Sequence, residues 1–318
     1  MTTAHRHSAP TSGFRHEAFL YGGSDAFVDG ISAFIRGGVA AGEPTLVVVD
    51  ARKIGRLREA LGDDAGGALF ADMADVGANP ARIIPAWREF VAAHAAPGRR
   101  LRGIGEPVHA GRSADEMVEC HRHEALLNLA FADAAAFWLV CPYDTEALDP
   151  EVIEDARRTH PAIVEDGVAR ESALFDGLEA VAAPFADPLP DSPAGAAAHE
   201  VHLDALFAVR VFVRAQAVRA GLGAERTRDL LVAVNEVATN TVRHGGGSGR
   251  LLVWEEPGAL VCEIRDDGRI ADPLAGRTRP EREQVGGYGL WLANQLCDLV
   301  QVRAYATGGA VRLRMRRG

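Results

Sequence analysis

Three polar residues stand at steps of four along one helix-like stretch of the chain. Glu236, Asn240 and His244 occur within residues 230–247, where apolar residues otherwise recur at the three- and four-residue steps of a buried helical face. Because residues four apart lie one above the other on a helix, a carboxylate, an amide and an imidazole share one face. Three glycines at 245–247 then end the helix. The pattern predicts a helix that forms one wall of a ligand site.

Two further segments carry chemistry. Asp266 directly follows a predicted strand, where its carboxylate can accept a hydrogen bond from a ligand's exocyclic amine, and Gly268 lets the chain turn away close to that ligand. Residues 286–291 (GGYGLW) lead into a predicted helix. Glycines at a helix start let backbone amides approach a phosphate, whose charge the helix dipole favours. The three segments in this order predict a nucleotide site.

The alternative for the first segment is a solvated helix face that carries Glu236 and Asn240. The glycine-containing segments favour the nucleotide site over that alternative. An asparagine oxygen is a neutral hard ligand for Mg²⁺, and a carboxylate one turn away can orient or deprotonate a hydroxyl. We expect His244 to be a structural residue at the helix end and Asp267 to be solvated.

The order and spacing within residues 199–317 resemble the GHKL (Bergerat-fold) ATPases, and most closely the anti-sigma-factor serine kinases of the sporulation and general-stress type. The resemblance implies an α+β sandwich of helices on a sheet that binds ATP and Mg²⁺ under a mobile lid. It also implies that Asn240 ligates Mg²⁺, that Asp266 recognises the adenine amino group, and that Glu236 is the general base toward a protein serine or threonine hydroxyl.

The same resemblance assigns the glycines that shape the site. They are Gly268, Gly286, Gly287 and Gly289, with Leu290 beside them. In the predicted lid, an irregular segment at 270–285, three arginines are candidates to meet the γ-phosphate, and spacing does not choose among them. These are Arg277, Arg279 and Arg282.

Strands and helices alternate along residues 14–180, which predicts an α/β domain with a parallel sheet and helices on both faces. Residues 181–198 are rich in proline, alanine and aspartate and are predicted to be a linker, so the ATP-binding domain spans 199–318. Within it we expect a first helix at 202–219, the helix described above, two hairpins and a short helix at 289–297.

The first domain resembles the MEDS sensory domain. The runs that carry this resemblance lie at 16–21, 41–44, 79–82, 105–107, 111–113, 123–128, 141–144 and 159–161. It implies sensing of a small molecule or another signal. No GxxxxGK[ST] loop is present, so a second ATPase is not expected.

Six residues of the first domain could form a ligand or metal pocket if the fold brings them together. They are His16, His121, His123, Cys141, Tyr143 and His160. The alternative is that each is an ordinary core or capping residue.

Composition limits the partners. The net charge of -10 argues against a general nucleic-acid binder. The four cysteines form no CxxC pair, which argues against a zinc knuckle or a redox motif. Neither a signal peptide nor an apolar run of the roughly 20 residues that span a bilayer is present, so we expect a cytoplasmic protein without a membrane partner.

The function predicted from these features is that of an ATP-binding anti-sigma regulator. It would phosphorylate a STAS-type anti-anti-sigma protein, bind a sigma factor and form a possible homodimer, under control of the sensory domain. One alternative is a non-catalytic, ATP-dependent binding switch. The other is an incomplete sensor histidine kinase with His199 or His202 as the phosphate acceptor.

Overall fold

The computed structural model describes residues 13–134, 136–177, 188–280 and 287–317. The chain divides into two compact units, Met1–Ala180 and Val181–Gly318. Each unit is described by itself.

Unit 1 is built on a seven-stranded, mostly parallel sheet with the strand order β3-β2-β4-β5-β1-β6-β7. Among the described strands of this sheet, only β6 and β7 pair in antiparallel fashion. The strands are β1 (Phe14–Tyr21), β2 (Thr45–Val49), β3 (Leu69–Asp72), β4 (Leu101–Gly105), β5 (Phe137–Asp144), β6 (Ala162–Glu165) and β7 (Val168–Glu171). The α-helices between them are α1 (Gly23–Ala41), α2 (Ala51–Leu61), α3 (Met73–Val76), α4 (Ile83–His94), α5 (Ala114–Ala130) and α6 (Pro150–Thr159).

The strand β2 shows why this sheet lies inside the unit. Its three consecutive valines, Val47 to Val49, are each at most 1% exposed, although successive side chains point to opposite faces. Both faces of the sheet are therefore covered, as expected of parallel strands joined by helices. The predicted α/β fold of this domain is confirmed.

Unit 2 has a five-stranded antiparallel sheet with the strand order β11-β12-β10-β9-β8. Its strands are β8 (Ala197–His202), β9 (Ser248–Glu256), β10 (Ala259–Asp266), β11 (Leu299–Ala304) and β12 (Gly309–Arg316). Within the described part of the unit, three α-helices pack against this sheet around one apolar core. They are α7 (Leu206–Arg219), α8 (Ala224–His244) and α9 (Tyr288–Leu296). This is a Bergerat-type arrangement, so the predicted α+β sandwich is confirmed.

The helix α8 has the predicted buried stripe. Leu230, Val234, Val237 and Thr241 are each at most 2% exposed and face the core of unit 2. The three- and four-residue steps therefore set the rotation of α8, and this rotation decides which polar side chains reach the surface beside it.

The start of unit 2 differs from the prediction. Residues 197–202 form the edge strand β8, which pairs with β9, and the helix expected from His202 begins at Leu206. The predicted linker at 181–198 thus overlaps the strand by two residues. Leu189 is also buried, and the carbonyl of Pro190 accepts a hydrogen bond of 2.5 Å from Arg312. This stretch is held by partners that are distant in sequence, which its composition does not reveal.

Within the described residues, none of the helices combines the length and the apolar character needed to cross a membrane.

Candidate nucleotide site

A cavity of about 490 Å³ opens beside α8 in unit 2. Four segments form most of its lining: α8, the end of β10 with residues 266–272, the segment 274–280, and the start of α9. The first residues of β12, Gly309 to Val311, also line the cavity. The volume is in the range of ordinary small-molecule sites.

The helix α8 presents four residues to the cavity at steps of three and four. These are Val237, Asn240, Thr241 and His244. Asn240 therefore faces the cavity, and so does His244, which the sequence analysis treats as a structural residue. His244 is exposed and is the last residue of α8, in keeping with its predicted place at the helix end.

The Asp266 carboxylate is held from two sides. The Thr241 hydroxyl donates to Asp266 Oδ2 at 2.6 Å, and the Gly268 backbone N–H donates to Asp266 Oδ1 at 2.9 Å. A carboxylate has about four acceptor positions, so acceptor capacity remains for a ligand's N–H group. Asp266 is thus an oriented acceptor on the cavity wall.

Two glycines let the chain pass close to this carboxylate. A Cβ on Gly245 would lie 2.5 Å from Asp266 Oδ2, and a Cβ on Gly268 would lie 2.6 Å from the Cα atom of Gly245. Real side chains do not tolerate such distances, so both positions require glycine. This supports the predicted role of Gly268 in shaping the site.

The start of α9 forms the opposite wall. Gly287 precedes the helix with the left-handed backbone angles φ 85° and ψ -13°, and both Gly287 and Leu290 line the cavity. Gly289 packs against α8, because a Cβ there would lie 2.8 Å from Asn240 Nδ2 and 3.4 Å from Glu236 Cβ. The N-terminus of α9, with its positive potential, therefore faces the cavity beside Asn240.

Glu236 is half-buried one turn before Asn240 and does not itself line the cavity. Its Cβ atom lies 3.4 Å from the position that a Cβ on Gly289 would take. The carboxylate thus lies at the margin of the site, and its role as a base stays a prediction.

The segment 270–280 has no regular secondary structure, as expected for the lid. Asn294 Nδ2 donates to the carbonyl of Gly276 at 2.9 Å and ties this segment to α9. Gly276 has φ 74°, and a Cβ there would lie 2.8 Å from the Cβ atom of Leu290. The segment therefore packs directly against the helix.

The two predicted lid arginines that the structure describes do not line the cavity. Arg277 is only 4% exposed, and the Arg279 guanidinium lies 5.8 Å from the centre of the Trp291 ring, which it faces. Neither lines the cavity, whereas Arg269 does. The third lid arginine, Arg282, lies outside the described residues, as does the predicted site glycine Gly286.

In unit 1, three of the six singled-out residues converge. His16, Cys141 and His160 meet with Glu124 in one buried cluster, in which the ligand-type atoms lie within 4.8 Å of one another. The Tyr143 ring packs edge-on against His160. His121 lies elsewhere, where its Nδ1 is 3.2 Å from Asp155 Oδ2, and His123 is buried outside the cluster.

Burial dominates the protonation of this cluster. Desolvation, with a smaller contribution from His160, lowers the pKa of His16 to about 4. Burial also raises the pKa of the Cys141 thiol well above its ordinary value. Without a bound ion, the cluster therefore contains a neutral His16 and a protonated Cys141 at neutral pH.

Comparisons with known proteins agree with this division. The structure consists of a mostly parallel α/β unit followed by a unit with a Bergerat-type ATPase fold. Residues 15–161 match the MEDS family, described as the "MEthanogen/methylotroph, DcmR Sensory domain". Residues 200–315 match the family described as "Histidine kinase-like ATPase domain", and such a domain implies ATP binding.

A solved structure with partial similarity is the crystal structure of the RsbU and RsbW domains of Rv1364c from Mycobacterium tuberculosis. It has 18% sequence identity and a TM-score of 0.30, and the alignment covers 39% of this chain and 33% of that chain. No curated protein matches the sequence.

Proposed function

We propose that this protein is an ATP-dependent protein serine/threonine kinase of the anti-sigma type whose activity responds to its sensory unit. The observation that carries the proposal is the packing of Gly289 against Glu236 and Asn240 at the edge of the cavity. It brings a carboxylate, a metal-type amide ligand and a helix N-terminus to one place.

The residues of the cavity suit ATP and Mg²⁺. Asn240 would ligate Mg²⁺ through its amide oxygen, and Asp266 would accept a hydrogen bond from the adenine amino group. Gly287, in a left-handed conformation on the cavity wall, would let backbone amides at the start of α9 approach the phosphates. Bound Mg²⁺ would neutralise the charge that develops on the transferred phosphoryl group.

Glu236 would then act on the protein substrate. It lies one helical turn from Asn240, so a serine or threonine hydroxyl that approaches the γ-phosphate would pass near its carboxylate. A base placed at the margin of the nucleotide cavity, rather than inside it, is what a separate protein substrate requires.

An exposed apolar face supports a protein partner. Four large side chains recur at steps of four and seven, from the turn before α7 along that helix, and each is more than half exposed. They are Leu203, Phe207, Val211 and Val218. Such faces are typical of protein-binding surfaces. We assign the partners as a sigma factor and a STAS-type anti-anti-sigma protein, with a second copy of this chain as a further partner.

The histidine-kinase alternative is not favoured. His199 and His202 lie in the edge strand β8, and His199 Nδ1 is 2.7 Å from the carbonyl of Glu200. A phosphate-accepting histidine of that class would instead lie on a helix.

The test is transfer of the labelled γ-phosphate of ATP to a candidate STAS-type protein by the full-length chain. We expect transfer by the wild type and by Glu225→Gln, which alters an exposed carboxylate at the start of the same helix. We expect Glu236→Gln to bind ATP but to lose at least 90% of the transfer rate, because general-base contributions are about 10²–10⁴-fold.

Equal transfer by Glu236→Gln and wild type would remove Glu236 from the base role. ATP binding without transfer to any STAS-type protein would instead support a non-catalytic binding switch. Acid-labile phosphate on His199 or His202 would contradict the proposal in favour of a histidine kinase.

A further inference from the structure

The buried cluster of unit 1 joins four separate elements. His16 lies on β1, Cys141 on the adjacent strand β5, Glu124 on α5, and His160 directly after α6. All four residues are at most 2% exposed. The cluster belongs to the sensory unit and has no part in the nucleotide site.

The hydrogen bonds around the two imidazoles define which nitrogen carries the proton. His160 Nδ1 lies 2.8 Å from the carbonyl oxygen of Ala156, which can only accept, so this nitrogen is the N–H donor. The remaining nitrogen, Nε2, therefore offers a lone pair when the ring is neutral.

His16 is oriented in the same manner. Its Nδ1 lies 3.1 Å from Asn128 Oδ1, and Asn128 Nδ2 donates to the carbonyl of Thr159 at 2.8 Å. That second bond fixes the amide, so its oxygen faces His16 and accepts from Nδ1. Both imidazoles thus direct an Nε2 lone pair toward the centre of the cluster.

Both lone pairs meet the Glu124 carboxylate, which is also an acceptor, and the single thiol proton of Cys141 can serve only one of the two imidazoles. His16 Nε2 lies 3.1 Å from Glu124 Oε2, and His160 Nε2 lies 3.4 Å from the same oxygen. Cys141 Sγ lies 3.4 Å from His16 Nε2. A carboxylate cannot hydrogen-bond to a neutral imidazole lone pair, and leaving buried acceptors unsatisfied costs about 1–3 kcal/mol each.

Two atoms of the cluster have no hydrogen-bond partner among the residues that the structure describes. They are His160 Nε2 and Glu124 Oε1. Buried polar atoms are normally satisfied, so this cluster needs a positive charge at its centre.

We propose that His16, Glu124, Cys141 and His160 bind one divalent transition-metal ion, for which Zn²⁺ has the best-matched preferences. Zn²⁺ takes four ligands from imidazole nitrogen, thiolate and carboxylate oxygen. Bond lengths of about 2.0–2.3 Å give a tetrahedron with edges of about 3.3–3.8 Å, close to the separations above.

The surrounding groups complete such a site. Each ligating imidazole donates its other N–H to an oxygen, from Asn128 or Ala156, which is the usual outer support of a metal-binding histidine. On binding, the Cys141 thiol releases its proton to solvent and ligates as thiolate. One thiolate and one carboxylate then balance the two charges of the ion.

The ion would connect two central strands with two helices. Its binding would stabilise unit 1, and its loss would loosen the same four elements. The four protein ligands leave no open position, which is the arrangement of a structural rather than a catalytic zinc site.

The experiment uses the full-length chain without an affinity tag. After treatment with a chelator and dialysis, the protein is loaded with Zn²⁺ or Co²⁺, and bound metal is counted by mass spectrometry. We expect one ion per chain, a rise in the melting temperature of unit 1, and a thiolate-to-cobalt charge-transfer band in the near-ultraviolet spectrum. An Mg²⁺ site made of Asn240 has no thiolate, so it cannot produce that band.

Two matched cysteine variants show which thiol produces the charge-transfer band. Cys120 is equally buried in unit 1, but its thiol contacts the carbonyl of Pro107 outside the cluster. Cys141→Ser should lose the band, whereas Cys120→Ser should keep it. The proposal is overturned if the wild type binds no metal and its melting temperature does not rise. It is also overturned if the band is lost only in Cys120→Ser. If Cys141→Ser does not fold, Glu124→Gln takes its place, and at least a tenfold loss of Zn²⁺ affinity is expected.

Discussion

The Thr241 hydroxyl donates a hydrogen bond of 2.6 Å to Asp266 Oδ2 and so connects α8 to the end of β10. Thr241 is only 1% exposed and continues the apolar stripe of its helix. Its methyl group lies against Gly249 of β9, while its hydroxyl fixes the carboxylate on the cavity wall. One residue thus couples the packing of the helix to the geometry of the nucleotide site.

Thr241→Val keeps the shape of this side chain and removes the hydroxyl. Because a hydrogen bond to a charged group contributes about 1.5–3 kcal/mol, we expect ATP to bind about tenfold more weakly or worse. Isothermal titration calorimetry with ATP measures the change. The control is Thr239→Val, because the wild-type Thr239 hydroxyl donates to the carbonyl of Asn235 on the same helix. An equal loss in both variants would mean that general damage to α8 causes the effect.

The second prediction concerns recognition of the base. Asp266→Asn replaces one acceptor oxygen by a donor, so the adenine amino group loses its partner or meets another N–H group. We expect ATP affinity to fall at least tenfold, measured by competition against a fluorescent adenine nucleotide. Asp267→Asn, at the exposed neighbouring position, should bind ATP like the wild type. Unchanged affinity in Asp266→Asn would remove the residue from base recognition.

The third prediction concerns the contact between α9 and α8. In Gly289→Ala the new methyl group would lie 2.8 Å from Asn240 Nδ2, so the amide must move or α9 must shift. We expect Mg²⁺-dependent ATP binding to weaken more than Mg²⁺-independent binding, since the displaced group is the proposed metal ligand. Titrations with and without Mg²⁺ separate the two effects.

Gly223→Ala is the control for this substitution, because a Cβ at that position meets no atom within 4 Å. It should leave ATP affinity unchanged. If Gly289→Ala binds ATP and Mg²⁺ normally, the contact does not position Asn240.

The parts of the site that can be predicted from the sequence depend on residues that are close to one another along the chain. The steps of three and four fix the buried face of α8, and this face fixes the exposure of Asn240 and His244. The helix start at Gly287 is likewise set by a left-handed backbone conformation that glycine alone adopts easily.

The missed residues depend on contacts between distant parts of the chain. Thr241 is indistinguishable from a core threonine until Asp266, 25 residues later, is seen beside it. Arg269 follows Gly268 directly, yet only the course of the chain after β10 brings it to the cavity in place of Arg277 and Arg279. A polar residue within an apolar stripe was the one available signal for Thr241.

The same limit applies to unit 1 and to the edge of unit 2. Glu124 lies next to His123 in sequence, but the orientation of α5 buries Glu124 in the cluster and keeps His123 out of it. The strand β8 becomes a strand because β9 offers its edge, and short polar stretches gain such pairing only from the fold.

The last prediction concerns the pH dependence of unit 1. Burial lowers the pKa of His16 from about 6.5 in the unfolded chain to about 4 in the folded one. Between these values the unfolded chain binds more protons, so the free energy of unfolding must fall as the pH falls from 6.5 to 4. The stabilising contribution is fully present above pH 6.5 and amounts to about 3 kcal/mol at most.

The groups that face the ring decide whether His16 keeps this low pKa. Glu124 and Asn128 on α5 favour its charged form, whereas burial and the neighbouring His160 oppose that form and prevail. Cys141 on β5 contributes a neutral thiol below pH 7, because burial raises its pKa.

Urea unfolding in the presence of a chelator, at several values between pH 4 and 7, measures the slope. In His16→Gln the free energy of unfolding should depend less steeply on pH than in the wild type. The slope should be smaller by up to about 1.4 kcal/mol per pH unit, since the variant takes up one proton less on unfolding. His94→Gln, at the end of α4 and outside the cluster, should keep the wild-type slope. If His16→Gln keeps it as well, the folded state does not hold His16 neutral, and an imidazolium paired with Glu124 would satisfy the cluster without a metal ion.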